Sequence, residues 1–254
     1  MKQTISLTFA ESVENHKGME IIGNISENGF QIDELEVLTK KYNGEIHYLN
    51  QLPIYDGVPE QDEAAIVIFR DGLKKIFDID QKDMIKEQDK LSKDTKCYMY
   101  GRVVDKKARH NLCFAEFDQE PEYEKGKGTV VDFNKLKILN SLRKEIGEKF
   151  GEQFKDLYAE GNYYYDISKT YIGFHGDTER RKVLCVRLGE SFPIHYQWYY
   201  KYDKVGDLMS FDIKGGDIYI MSEKAVGHDW KKRNICTLRH AAGDIEIIKK
   251  TMKK

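Results

Sequence analysis

His175 and Asp177 stand two residues apart in YIGFHGDTERR, the stretch from Tyr171 to Arg181. On a β-strand residues i and i+2 project to one face, so an imidazole nitrogen and a carboxylate oxygen would reach the same ion while Gly176 turns away. The pair by itself also suits a strand-end histidine beside a solvated acid, and a third donor has to decide. His228, in GDIYIMSEKAVGHDWKKR, follows a short apolar run and can supply it. Two histidines and one carboxylate on one face leave three positions of an octahedron open. That arrangement suits non-heme Fe(II), which also takes a cosubstrate and dioxygen, whereas zinc closes its shell or keeps one position open.

A second constellation follows in RNICTLRHAAG, where Arg233 and Arg239 share a strand face with Thr237. A guanidinium here can clamp a carboxylate through two parallel charge-assisted bonds, a geometry that lysine does not reproduce. His240 is expected on the opposite face from Arg239, which ranks it below His228 as a ligand.

These groups have to be held by the surrounding elements. From Tyr163 onward the chain breaks into short apolar runs punctuated by Gly, Asp and Pro: KTYIGFH, KVLCVRLG, IHYQWYYKY, LMSFDI, GDIYIMS and NICTLRHA. Closely spaced strands with turns between them predict an antiparallel sandwich or barrel. Upstream, Leu136, Leu139, Leu142, Ile146 and Phe150 recur at three- and four-residue intervals, predicting an amphipathic helix over 134–150 that covers one sheet. CYMYGRVVDKKARHNLCFAEF reads as a β-hairpin with Asp105, Lys106 and Lys107 at its tip, and the charged stretch 87–96 as a linker. Residues 1–92 then form a mixed α/β region of unassigned role, with IDELEVLTKKY helical and AAIVIFRDG a strand closed by a turn, and residues 93–254 form the domain that bears the site.

A chain of 254 residues, 40% hydrophobic, can bury a sizeable core. Its formal charge of −2 gives no overall attraction to nucleic acid or acidic membranes, so such a partner would have to meet a local patch. The four cysteines form no CxxC pair and read as reduced and structural. The N-terminus lacks the apolar core of a signal peptide, and no segment approaches the ~18 apolar residues of a membrane span. These features predict an intracellular, soluble protein of cytoplasm or nucleus.

The order H-G-D, H, R-N-I-C-T-L-R on a run of short strands resembles the Fe(II)/2-oxoglutarate dioxygenases, and among them is most similar to the AlkB-type nucleic-acid demethylases. The likeness extends back to GNYYYDISKTYIGFHGDTE, which resembles their Asn-x-Tyr segment and H-x-D-x-E motif, and covers about residues 95–243. It implies an α+β protein with a double-stranded β-helix, or jelly-roll, core. It also implies His175, Asp177 and His228 on Fe(II), Arg239 or Arg233 on the distal carboxylate of 2-oxoglutarate, and Asn162 with Tyr164 at its other end. Tyr163 and Tyr165 are open alternatives to Tyr164, and spacing favours Arg239 over Arg233. The activity implied is O₂-dependent decarboxylation of 2-oxoglutarate coupled to hydroxylation of a C–H bond, which on an N-methyl group ends in loss of formaldehyde.

For a nucleic-acid substrate the resemblance assigns the stretch 93–110 as a base-covering lid, with Arg102 and Arg109, and Glu179 of the H-x-D-x-E motif, as substrate contacts. Further basic groups follow the acid pair (Arg180, Arg181, Lys182) and the distal histidine (Lys231, Lys232, Arg233). Glu116, Asp118, Glu120, Glu122 and Glu124 follow the lid and make an awkward phosphate surface. Trp198 and Tyr200 fit a core as well as a stacking platform. Two other functions therefore stand beside base demethylation or hydroxylation: hydroxylation of a protein side chain or small molecule, and a catalytically silent binding module.

Overall fold

The computed structural model describes residues 2–50 and 56–252. The first strand, β1 (Thr4–Ala10), reads TISLTFA and alternates apolar and small polar residues, the signature of a strand with two different faces. Then come the hairpin β2 (Ser12–Glu14) and β3 (Ile21–Gly23), helix α1 (Ile32–Tyr42), β4 (Glu45–Tyr48), β5 (Ala65–Phe69), α2 (Gly72–Phe77) and α3 (Gln81–Asp89). After them run β6 (Lys96–Met99), β7 (Arg102–Asp105), β8 (His110–Ala115), β9 (Val130–Asp132) and α4 (Lys137–Phe150). The remainder is β10 (Tyr158–Tyr164), β11 (Ile172–His175), β12 (Val183–Gly189), β13 (Ile194–Tyr200), β14 (Asp203–Phe211), β15 (Ile218–Met221), α5 (Glu223–Val226), β16 (Thr237–Ala242) and α6 (Ile245–Met252). The fold is α+β.

Two sheets dominate. The larger runs β4-β5-β15-β12-β1-β10-β8-β9 and the smaller β11-β16-β13-β14. One face of the larger sheet buries Leu7, Phe9, Leu184, Val186 and Ile220 against Leu139, Leu142 and Ile146 of α4 and Leu35 and Leu38 of α1. Each fully buried side chain of this kind contributes roughly 1.5–3 kcal/mol, so the helical layer is held by its apolar stripe. The opposite face presents Cys185, Tyr219 and Met221, which pack on Tyr196, Trp198 and Leu238 of the smaller sheet. The result is three layers, helices on a sheet on a sheet, with a large core on each face of the bigger sheet.

Several expectations change in detail. The first ninety residues are not a separate body: β1 lies between β10 and β12, paired antiparallel to both, with Leu7 opposite Gly161 and Val186. The stretch 87–96 is not a linker. Gln88 and Asp94 are buried, and Asp94 accepts hydrogen bonds from the side chains of Asn15, Tyr123 and Thr129. The β6–β7 hairpin turns at Tyr100 and Gly101, with φ of 55° and 74°, rather than at Asp105–Lys107. Two successive positive φ values give the two-residue turn whose twist matches that of the strands. After it β8 leaves the hairpin and joins the larger sheet beside β10. The helix expected over 134–150 begins at Lys137, because Asp132 accepts from the Asn134 amide and holds Phe133–Lys135 in a 3₁₀ turn. No described helix is long and apolar enough to cross a membrane.

Candidate metal centre and its cavity

Strands β11 and β16 are antiparallel neighbours, with His175 directly opposite His240. Their rings lie 4.4 Å apart between centroids. Asp177, just past the end of β11, brings one carboxylate oxygen to 3.3 Å from His175 Nε2 and 3.6 Å from His240 Nε2. The three donor atoms lie within 4.8 Å of one another, close enough for one ion at about 2.0–2.2 Å from each.

The protonation states suit such an ion. His175 Nδ1 is 2.7 Å from the Gly173 carbonyl, which fixes the proton on that nitrogen and leaves Nε2 free to ligate. Burial, reinforced by the neighbouring His175, pushes His240 down to about 4, so its imidazole is neutral at physiological pH. Burial works to raise the pKa of Asp177, but the His175 and His240 rings and the Arg180 guanidinium beside it override that and hold the carboxyl well below its ordinary range. Arg180 steadies that carboxylate at 3.6 Å, and its Nη2 donates to Glu160 at 2.7 Å and to Glu179 at 2.9 Å.

The histidine that the structure brings together with His175 and Asp177 is His240 rather than His228. Leu238, His240 and Ala242 have the same parity on β16, and Leu238 is buried between the sheets. His240 does point away from Arg239, as expected, but it is the histidine's face that looks inward. His228 lies after α5 and lines a neighbouring depression of about 860 Å³ together with Arg181, Glu223 and Asp229. A loop histidine spaced like a ligand is indistinguishable in sequence from the ligand itself; strand parity against Leu238 was the usable signal.

The trio opens into a cavity of about 490 Å³ between the two sheets. Its inner wall comes from the side chains of the larger sheet opposite those that face the helices: Ser6 and Thr8 of β1, Asn162 and Tyr164 of β10, and Arg187 of β12. Arg187, which nothing in the sequence reading singled out, is fully buried. Its Nη1 donates to Ser6 Oγ, while Nε and Nη2 have no partner among the described residues. Phe192 lies 5.3 Å beneath the guanidinium. A buried cation with two adjacent N–H groups free is costly unless an oxyanion completes it, and the pair Nε and Nη2 matches the two oxygens of a carboxylate.

The other candidate residues divide. Tyr164 lines the cavity with its ring 4.5 Å from Phe192, whereas the Tyr163 hydroxyl donates to Gln88 on the helical side and the Tyr165 hydroxyl to the Lys107 carbonyl. Asn162 also lines it, but its amide is engaged by Asn111, Arg109 and Glu160. Arg109 and Glu179 stand in the cavity wall, and exposed Arg102 borders a second hollow under the β6–β7 hairpin. Arg239 and Arg233 do not enter the cavity. Arg239 lies on the outer face of β16, its guanidinium 3.9 Å from the Tyr199 ring, and Arg233 is exposed over Tyr202.

Backbone packing fixes the acid pair. A Cβ at Gly176 would sit 2.0 Å from the Gly227 carbonyl and 2.7 Å from the Trp230 ring, and the Asp177 amide donates to Val226 at 3.1 Å. Only glycine lets the segment after α5 press so closely on the end of β11.

A search of family models finds no match. The chain is 42% identical over 255 residues to the uncharacterized protein R156 of Acanthamoeba polyphaga mimivirus, an alignment that covers 98% of this chain and 99% of the relative. A likeness of that extent along essentially the whole of both chains means that this protein belongs to the same family as that viral protein.

Proposed function

We propose that the protein is an Fe(II)- and 2-oxoglutarate-dependent dioxygenase that hydroxylates or oxidatively demethylates a nucleic-acid base. The observation that carries this reading is the joint occurrence, in one cavity, of a facial His175–Asp177–His240 trio and the unpaired fork of Arg187. Three protein donors leave room for exogenous ligands, and the fork suits the far carboxylate of a dicarboxylic cosubstrate. Bound there, iron and 2-oxoglutarate would supply dioxygen activation and oxidation of a C–H bond. The chain's own part is to keep the His240 imidazole neutral, aim His175 Nε2 into the site, hold Asp177 ionised beside Arg180, orient the carboxylate and exclude water with Phe192, Tyr164 and Tyr219.

Strand order supports a jelly-roll core. Strands β10, β12, β15 and β1 alternate between two sheets with β11, β13, β14 and β16 in double-stranded β-helix order, with β1 standing where the eighth strand would close the larger sheet. Against the AlkB-type pattern, the arginine pair lies outside the cavity and the third ligand is on β16. A second reading has an observation of its own: Glu14, Glu160 and Glu179 line the cavity, a wall suited to a cationic side chain or small molecule rather than to phosphate.

Anaerobic titration with Fe(II) and 2-oxoglutarate tests the reading through the weak visible charge-transfer band of the ternary complex. The band is expected in wild type and in His228→Ala, and absent in His175→Ala, Asp177→Ala and His240→Ala. Arg187→Met should weaken 2-oxoglutarate binding at least tenfold without loss of stability, since it removes a buried cation whose fork has no carboxylate partner among the described residues. No band in wild type, or a band lost in His228→Ala alone, refutes it. Succinate release stimulated by methylated oligonucleotides rather than by peptides or small molecules separates the two substrate readings.

A further inference from the structure

The arginines that the cavity does not use belong to a second feature. Arg239 projects from the outer face of β16, with Tyr199 at 3.9 Å, Trp230 at 5.1 Å and Tyr202 at 5.8 Å from its guanidinium carbon. Arg233 covers the other side of this group at 5.0 Å from the Tyr202 ring. Lys17 and Lys231 place their ammonium groups 5.6 Å and 5.8 Å from the Trp230 ring. Tyr202 occupies the β13–β14 turn with a φ of 73°, and its hydroxyl donates to the Lys231 carbonyl at 3.1 Å, tying the turn to the loop before β16. Cation and ring thus alternate along a ridge.

Two properties make the ridge unusual for a protein of net charge −2. None of Lys17, Lys231, Lys232, Arg233 and Arg239 pairs with a carboxylate among the described residues, although exposed lysines elsewhere do, as Lys74 with Asp78 and Lys86 with Asp83. Arg239 keeps Nε and Nη2 without a hydrogen-bond partner among the described residues. The ridge is also continuous with the metal cavity, because Trp230 lines that cavity and packs on Gly176. Half-exposed Tyr202 ends it on the outside.

We propose that this ridge is a track for single-stranded nucleic acid, leading from the β13–β14 turn to the cavity mouth at Trp230. Unpaired guanidinium and ammonium groups meet successive phosphates, and the accessible rings of Tyr202 and Trp230 between them stack bases without regard to sequence, buried Tyr199 serving only to seat Arg239. A single strand fits because its bases are free to stack, whereas a duplex offers only phosphates. The inference deepens the oxygenase reading by giving its substrate a path, and it rests on that reading only for what happens at the metal; binding itself needs neither iron nor 2-oxoglutarate.

Fluorescence anisotropy of labelled fifteen-nucleotide oligo-dT and oligo-U, titrated with full-length protein without added metal, tests it. Wild type is expected to bind with an affinity that falls steeply with salt. Combined Lys231→Glu, Lys232→Glu and Arg233→Glu should weaken binding at least tenfold and flatten the salt dependence. Tyr202→Ala should weaken it several-fold where Tyr202→Phe does not, and Lys74→Glu with Lys86→Glu should change nothing. His175→Ala should bind as wild type, so a protein that binds oligonucleotides but not 2-oxoglutarate refutes the oxygenase reading and leaves the track standing. Absence of binding, insensitivity to the ridge variants, or equal competition by duplex DNA or polyglutamate overturns the track.

Discussion

Glu14 stands in the wall of the metal cavity with its carboxyl pushed up to about 7 by burial and by the neighbouring charge of Glu179, against the pull of the Gly18 amide and Arg180. A raised carboxyl is neutral below that pH and charged above it. Its contribution to stability is accordingly present in full below the ordinary value of 4.5 and lost as pH rises through about 7. The same titration places a negative charge beside a cavity proposed to receive a dianion. Affinity for 2-oxoglutarate, followed by calorimetry, should therefore fall as pH rises from 6 to 8, and Glu14→Gln should flatten the profile; an unchanged slope in that variant would separate Glu14 from the site. Neither Glu14 nor Arg187 was visible in the sequence, since each matters through what it faces across the sheets. His175 and Asp177 were legible because their proximity is local and follows from strand parity. The choice between His228 and His240 was not, because it depends on which face of β16 meets Leu238's partners, Tyr196 and Trp198, in the core. Arg239 does point away from His240, and the same parity puts it on the outer face of the sheet over Tyr199 rather than in the cavity.

At the scale of elements, the site depends on how the segment after α5 abuts β11. Gly176→Ala would force a methyl into the Gly227 carbonyl and the Trp230 ring, and the Gly227 backbone cannot give way as a flexible side chain would. The expected cost is ~1–3 kcal/mol of stability, measured by urea denaturation, together with weakened metal binding as the Asp177–Val226 hydrogen bond opens. Gly173→Ala, where a Cβ would meet nothing within 4 Å, is the matched control and should behave as wild type. Equal effects at the two positions would show that the close approach is unimportant. Most strands here could be read from the sequence: β11, β12, β13, β15 and β16 each fall inside an apolar run bounded by turn residues. The stripe of α4 was equally plain, because Leu139, Leu142, Ile146 and Phe150 repeat with the helix. The hairpin tip was misplaced because Tyr100–Gly101, the pair that adopts positive φ, looks less like a turn than Asp105-Lys106-Lys107 does. Such local signals say nothing of which strand lies beside which.

That last gap defines the molecule as a whole, since β1 comes from the far end of the chain to sit between β10 and β12. If β1 is the closing strand of the jelly-roll, it follows β16 in the order of the two sheets, and the segments that lead into β1 and out of β16 should be tied to a common turn. The turn between β12 and β13 ties both: the Glu190 amide donates to the Gln3 carbonyl at 3.1 Å, and the Gly243 amide donates to the Pro193 carbonyl at 3.0 Å. A chain re-cut between exposed Glu27 and Asn28, with residue 252 joined to residue 2 through a flexible linker of about ten residues spanning roughly 17 Å, should therefore fold. It is expected to unfold cooperatively and to bind metal as the natural chain does, since β1 keeps both neighbours and Ser6 stays on Arg187. Deleting residues 1–10 should instead leave no cooperative transition, because Leu7 and Phe9 leave one core and the larger sheet is split between β10 and β12. Circular dichroism melts and Co(II) absorption read both outcomes. A permuted chain that does not fold, beside a truncated one that still binds metal, would mean that β1 is an ornament on the sheet and that the site is built without it.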